Sequence, residues 1–93
     1  MAGRAPYRVV VSPAARRDLR KLPPDLQDAI RPLLLRLQDD PRPPGCRKLH
    51  GQEDTFRVRA GGYRIVYDVY DEERLVEVLR VLRRTETTYR HLR

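Results

Sequence analysis

Arg57, Arg59 and Arg64 carry the chemistry that this sequence offers most openly. They lie in the run Thr55 to Tyr70, Thr-Phe-Arg-Val-Arg-Ala-Gly-Gly-Tyr-Arg-Ile-Val-Tyr-Asp-Val-Tyr. Two alternating segments flank Gly61-Gly62, a pair that favours the primed turns of tight hairpins, so the run predicts a β-hairpin. With the glycines as the loop, Ala60 pairs with Tyr63, Arg59 with Arg64, Val58 with Ile65, Arg57 with Val66 and Phe56 with Tyr67. Strand side chains alternate between faces, so Phe56, Val58, Ala60, Tyr63, Ile65 and Tyr67 share an apolar face. Arg57, Arg59 and Arg64 surround Val66 on the other. Arginines directly opposed across strands repel by up to about 1 kcal/mol unless something neutralises them. Two readings of this face are open: a solvated surface whose arginines find carboxylates such as Asp54 or Asp68, or a cradle of planar guanidinium forks for phosphate oxygens.

The elements that must position this face follow from the rest of the chain. Its 93 residues are expected to form a single domain, 1–93, with one small core. Twenty basic residues against 13 acidic ones give a net charge of +7, which favours polyanionic partners through release of their counterions. Only Lys21 and Lys48 among the cations are lysines. The single cysteine, Cys46, excludes an internal disulfide and fits a reducing compartment. His50 and His91 lack metal-binding spacing, and neither a metal nor a cofactor is expected. No apolar run reaches the length of a membrane span and the first residues lack a signal-peptide core, so the expected location is the cytoplasm, away from membranes.

Residues 7 to 11 read as a short strand stopped by Ser12-Pro13, a helix start with serine as N-cap and proline at the first helical position. Ala15, Leu19 and Leu22 then form an apolar stripe, with Arg16, Arg17, Arg20 and Lys21 around the remaining circumference. Pro23-Pro24-Asp25 breaks this helix and opens a second, in which Leu26, Ile30, Leu33, Leu34 and Leu37 recur at helical spacing up to Asp39-Asp40-Pro41. Pro32 falls inside that pattern and is expected to kink the helix or confine its regular part. Residues 40 to 47 read as a proline-rich loop, and Lys48 to Gly51 lead into the hairpin. Beyond the turn at Asp71 to Arg74, residues 75 to 82 read as a further strand, completing an antiparallel meander. It is apolar at both parities, which predicts a strand inside the sheet and leaves its register open. The fold class is therefore α+β: an N-terminal strand, a two-helix hairpin, an antiparallel β-meander and a short basic C-terminal tail. That tail holds Tyr89 among Arg83, Arg84, Arg90 and Arg93, where an aromatic face suits base stacking.

This order of elements, with Lys48-Leu49-x-Gly51, Phe56-Arg57-Val58-Arg59, Gly62-Tyr63-Arg64-Ile65-Val66-Tyr67, Leu79-Arg80-Val81, Arg83-Arg84 and Tyr89-Arg90, resembles the RelE/ParE superfamily of bacterial toxins. The Ser12 to Leu19 start agrees, and the likeness covers nearly the whole chain. The resemblance implies a RelE-like, microbial-RNase-like fold and a toxin neutralised by a cognate antitoxin. It also implies operator DNA bound only through the toxin–antitoxin complex. In the RelE branch such a toxin enters the ribosomal A site and cuts mRNA; in the ParE branch it poisons DNA gyrase. The RelE-branch site residues fall here on Arg57, Arg59, Arg64, Arg84 and Tyr89, with Lys48, Arg80, Arg83 and Arg90 as flanking RNA contacts.

Metal-independent RNA cleavage requires the 2′-hydroxyl to attack the adjacent phosphorus, the phosphorane charge to be neutralised and two protons to move. On the resemblance, Arg57, Arg59 and Arg64 serve the phosphate, Arg84 the phosphate or the leaving 5′-oxygen, and Tyr89 a base. Two departures matter. Lysines usual in the family are Arg57 and Arg59 here, and arginine is a poor general base. Leu82 and Arg83 replace a glycine and often a histidine, so Glu86 and His91 remain as the nearby acid–base candidates.

Overall fold

The structure, a computed structural model, describes residues 6–49, 51 and 54–83. Strand β1 (Arg8–Val11) leads into helix α1 (Pro13–Arg20) and helix α2 (Pro24–Asp39). Strands β2 (Arg47–Lys48), β3 (Thr55–Ala60), β4 (Tyr63–Tyr70) and β5 (Leu75–Arg83) complete one sheet in the order β1-β5-β4-β3-β2. This is the predicted α+β architecture, with one strand more than the sequence disclosed.

The local causes are those the sequence announces. Ser12 Oγ accepts a hydrogen bond from the Ala15 amide at 3.1 Å, capping α1 directly ahead of Pro13. Gln27 Nε2 donates to the Leu22 carbonyl at 2.9 Å and ties the tight turn between the helices. Helix α2 runs through Pro32 to Asp39 without interruption, so the lost backbone bond does not end it. Pro32 is exposed while Ile30 and Leu37 are buried, which keeps the irregularity on the solvent side.

The predicted hairpin register holds at every pair, from Phe56 opposite Tyr67 to Ala60 opposite Tyr63. Gly61 carries φ +63 while Gly62 stays negative, the pattern of a type II′ turn. Strand β5 pairs antiparallel with β4 and parallel with β1, and so lies inside the sheet, as its apolar composition requires. Its register shifts once: Tyr67 faces Val78, Val66 faces Arg80, and Leu79 is left as the extra residue of a bulge. The bulge resolves the mixed parity of this strand. Before it, Val76 and Val78 join the helix-side core; after it, Val81 does so, while Leu79 and Leu82 turn to the opposite face.

Residues 40–47 are not all loop. Arg47 and Lys48 pair with Arg57 and Phe56 as the two-residue edge strand β2, a segment too short to leave a periodic signal in sequence. The main core joins Ala15, Leu22, Ile30 and Leu37 of the helical layer to Phe56, Val58, Ile65, Tyr67, Val69, Val76, Val78 and Val81 of the sheet. Tyr67 is wholly buried and its hydroxyl donates to the Pro41 carbonyl at 2.8 Å, satisfying the one polar atom it brings into the core. No helix among the described residues is long and apolar enough to cross a membrane.

Candidate phosphate-binding face

The helices cover one side of the sheet, and the arginines stand on the other. Strand pairing sets Arg47 opposite Arg57, Arg57 opposite Val66 and Val66 opposite Arg80 in one row, with Arg59, Arg64 and Leu82 in the next. Directly opposed residues share a face at roughly 5 Å between Cβ atoms, so Arg47, Arg57, Arg59 and Arg64 converge on one surface. Beneath them lies a second apolar cluster, Leu49, Val66 and Leu82, joined by Leu79. Val66 is 0% exposed and Leu82 1%, so the cations stand around a dry, rigid floor rather than on a flexible loop.

Asp68, one carboxylate that could neutralise this surface, is engaged by two hydroxyls. Asp68 accepts from the Thr55 hydroxyl at 2.5 Å through one oxygen and from the Tyr70 hydroxyl at 2.9 Å through the other. Neither Asp54 nor Asp68 forms an ion pair with Arg57 or Arg59 among the described residues. The hydrogen bond to Asp68, helped by partial burial, pushes the Tyr70 hydroxyl up to about 12, so this tyrosine stays a neutral donor across the ordinary pH range. The face is thus polarised along the strands: guanidinium groups at the hairpin end, and a carboxylate engaged by two hydroxyls towards the other.

The structure brings Arg57, Arg59 and Arg64 together as the sequence predicts, whereas Lys48, exposed in β2 and paired with Phe56, points to the opposite face of the sheet because neighbouring strand residues alternate. Arg80 has a different task, because its guanidinium is held by Asp18 of α1 at 2.8 and 3.1 Å. Arg83 ends β5 opposite Tyr63 and is exposed. Arg84, Tyr89 and Arg90, and the acid–base candidates Glu86 and His91, lie outside the described residues.

Two contributors escaped the sequence reading. Arg47 joins the face only because β2 pairs there, and its signal was no more than a basic residue just ahead of Lys48. Asp18 left only the signal of a lone acid in a basic helix, which does not name its partner. What the arrangement can do is grip an anion: several forks on a rigid sheet suit the oxygens of a phosphodiester, and none of them is suited to take up a proton.

Comparison with known proteins shows the family. The family model described as "ParE toxin of type II toxin-antitoxin system, parDE" matches residues 9–88. Toxin RelG of Mycobacterium tuberculosis is 37% identical over 82 residues, covering 87% of this chain and 94% of its own. Toxin RelE of the same organism is 31% identical over 81 residues, covering 86% and 84%. Among solved structures, the toxin–antitoxin complex RelBE2 of Mycobacterium tuberculosis is similar with a TM-score of 0.75 at 36% identity, covering 84% of this chain and 98% of that one. The intact Escherichia coli RelBE toxin–antitoxin complex is similar with a TM-score of 0.73 at 30% identity, covering 87% and 99%. A match over residues 9–88, in a chain with this sheet order and this arginine face, shows that the protein belongs to the RelE/ParE superfamily of type II toxin–antitoxin toxins.

Proposed function

We propose that this toxin is a ribosome-dependent mRNA endonuclease that cleaves by metal-independent attack of a 2′-hydroxyl and so inhibits translation. The observation that carries the reading is the pairing of Arg59 with Arg64 and of Arg47 with Arg57 on the helix-free face, around buried Val66. A fold that opposes like charges twice on one surface gains from an anion bound there.

In the reaction, the 2′-oxygen bonds to phosphorus and the 5′-oxygen leaves, giving a 2′,3′-cyclic phosphate and a 5′-hydroxyl. Arg57, Arg59 and Arg64 hold the phosphodiester and neutralise the charge that builds on its oxygens in the transition state. Arg84 serves the same phosphate or the leaving oxygen, Tyr89 stacks on a base and Arg90 holds a flanking phosphate, while Lys48 and Arg83, paired with Phe56 and Tyr63, stand on the opposite face and take no part in that grip. Arg80, bound to Asp18, sets the course of β5 beside them. The arginines cannot take the 2′-hydroxyl proton, so the two proton transfers fall to Glu86, His91 or groups of the ribosome. Relatives solved as toxin–antitoxin complexes support a cognate antitoxin as the partner; on this reading the antitoxin blocks this face, and operator DNA is bound only through that complex. Ribosomes place the action in the cytoplasm.

Primer extension on a defined mRNA in a purified translation system tests the reading. Cuts at A-site codons that need ribosomes, and that vanish on Arg64→Ala or Arg84→Ala, are the expected result. The ParE description of the matching family model favours a second reading, inhibition of DNA gyrase without nuclease activity. Under it the same assay stays blank, and induced cells accumulate gyrase-cleaved DNA.

A further inference from the structure

We propose that the outward face of α1 is a second RNA-binding surface, which grips the phosphate backbone of double-helical RNA on the side of the sheet opposite the arginine face. The proposal deepens the ribosome-directed reading and rests on it: a toxin that cuts mRNA within the ribosome is surrounded by folded RNA.

Arg16, Arg17 and Arg20 of α1, and Lys21 at its C-cap, are all exposed. At 100° per residue they fill an arc of about 140°, opposite the buried Ala15 and Leu22. The helix has one acid, Asp18, and it is turned inward to Arg80 and to the Val81 amide, so it offsets none of the outward charge. Helix stability does not explain the arrangement. Cations in the last turn suit the dipole, but the first turn, where an acid would stabilise, has none. Among the described residues, Arg16 is anchored, its Nε–H donating to the Val11 carbonyl at 3.3 Å.

The spacing selects the ligand. Arg16 with Arg20, and Arg17 with Lys21, stand one turn apart, roughly 6 Å along a rigid rod. The helix carries no aromatic residue, whereas single-strand binders join cations to stacking rings. Cations without rings read backbone alone, which is how double-stranded RNA is mostly held. The sheet face, on the other side of the core, is then left for the strand to be cut.

Fluorescence anisotropy of the full chain, with a fully paired RNA hairpin, a DNA duplex of the same sequence and unstructured oligouridine as probes, tests this. The variant combines Arg17→Gln, Arg20→Gln and Lys21→Gln at three exposed positions, with circular dichroism to verify folding. The expected result is a loss of about tenfold or more on the RNA hairpin, a log–log salt slope shallower by about 2 to 3, and oligouridine binding within about twofold of the parent. An unchanged hairpin affinity and slope overturns the proposal. So does an equal loss on oligouridine, which means diffuse charge, or tighter parental binding to the DNA duplex than to RNA. Ribosome-dependent cleavage by the parent is scored separately, so failure of the nuclease reading is distinguishable from failure of this surface.

Discussion

Asp18 of α1 holds Arg80 of β5 across 62 residues of sequence, and in doing so replaces a missing strand. Its Oδ2 accepts from Arg80 Nε at 2.8 Å and from the Val81 amide at 2.8 Å, while Oδ1 accepts from the terminal guanidinium nitrogen Nη2 at 3.1 Å. Strand β1 ends at Val11 opposite Val78, and Ser12 then covers the next carbonyl, Leu79, at 3.0 Å. Asp18 takes over at the following amide. The exposed edge of β5 is therefore satisfied by α1, just past the bulge that turns Leu82 to the arginine face.

Asp18→Ala should destabilise the fold by about 2–4 kcal/mol, because it leaves both a part-buried guanidinium and a strand amide without their acceptor. Urea unfolding followed by circular dichroism measures this. Arg80→Ala and the double variant close a thermodynamic cycle, and a coupling below about 0.5 kcal/mol would show that the contact is incidental.

Stability and ligand binding should trade against each other at Arg59. Replacing it by threonine removes the repulsion across to Arg64 and adds a good strand former, so the midpoint of unfolding should rise by the equivalent of about 0.3–1 kcal/mol. RNA affinity should fall in the same protein. A variant that loses stability, or keeps full RNA binding, would contradict the assignment of this pair to phosphate.

Asp71 ties three elements together. It accepts from the Tyr7 hydroxyl at 2.6 Å and from Arg42 through both oxygens, at 3.1 and 2.9 Å, and Arg42 also lies over the Phe56 ring. The Arg42 hydrogen bonds, then that of Tyr7, hold the Asp71 carboxyl below its usual range. A carboxylate with a lowered folded pKa stabilises fully above its unfolded value near 4, and the contribution is lost as pH falls through the folded pKa. Both partners are largely exposed, so screening makes the effect small. Asp71→Asn should flatten the stability profile slightly below about pH 4, measured as unfolding midpoint against pH; identical profiles for parent and variant would remove the clasp from the account.

Tyr70 gives the opposite sign. Its hydroxyl, raised to about 12 by Asp68, favours the fold in the neutral form, so its contribution is present below the free tyrosine value near 10 and is lost as pH rises towards 12. Tyrosinate absorbance in an alkaline titration should show this late-ionising group, and Asp68→Asn should bring one tyrosine down towards 10.

Tyr67→Phe removes the hydroxyl that donates to Pro41 without opening a cavity, and should cost about 1 kcal/mol. Ile65→Ala, on the same strand and wholly buried, should cost about 2–5 kcal/mol because a void remains. Equal losses in denaturant titrations would be at odds with the packing described.

Sequence alone determined what depends on neighbours along the chain. The Ser12-Pro13 start, the helical hairpin and every pair of the Gly61-Gly62 hairpin follow from capping, periodicity and turn chemistry, which act over a few residues. The convergence of Arg57, Arg59 and Arg64 was legible for that reason: one tight turn and the two-residue strand period fix it. Tertiary structure decided what depends on distant pairing. The parallel union of β1 with β5, the Leu79 bulge, the two-residue strand that brings Arg47 to the face, and the capture of Arg80 by Asp18 each join segments whose registers no local rule couples. A strand apolar at both parities can meet its neighbours in either register. Only the packing of α1 against one face and the burial of Val66 and Leu82 on the other select the register with the bulge.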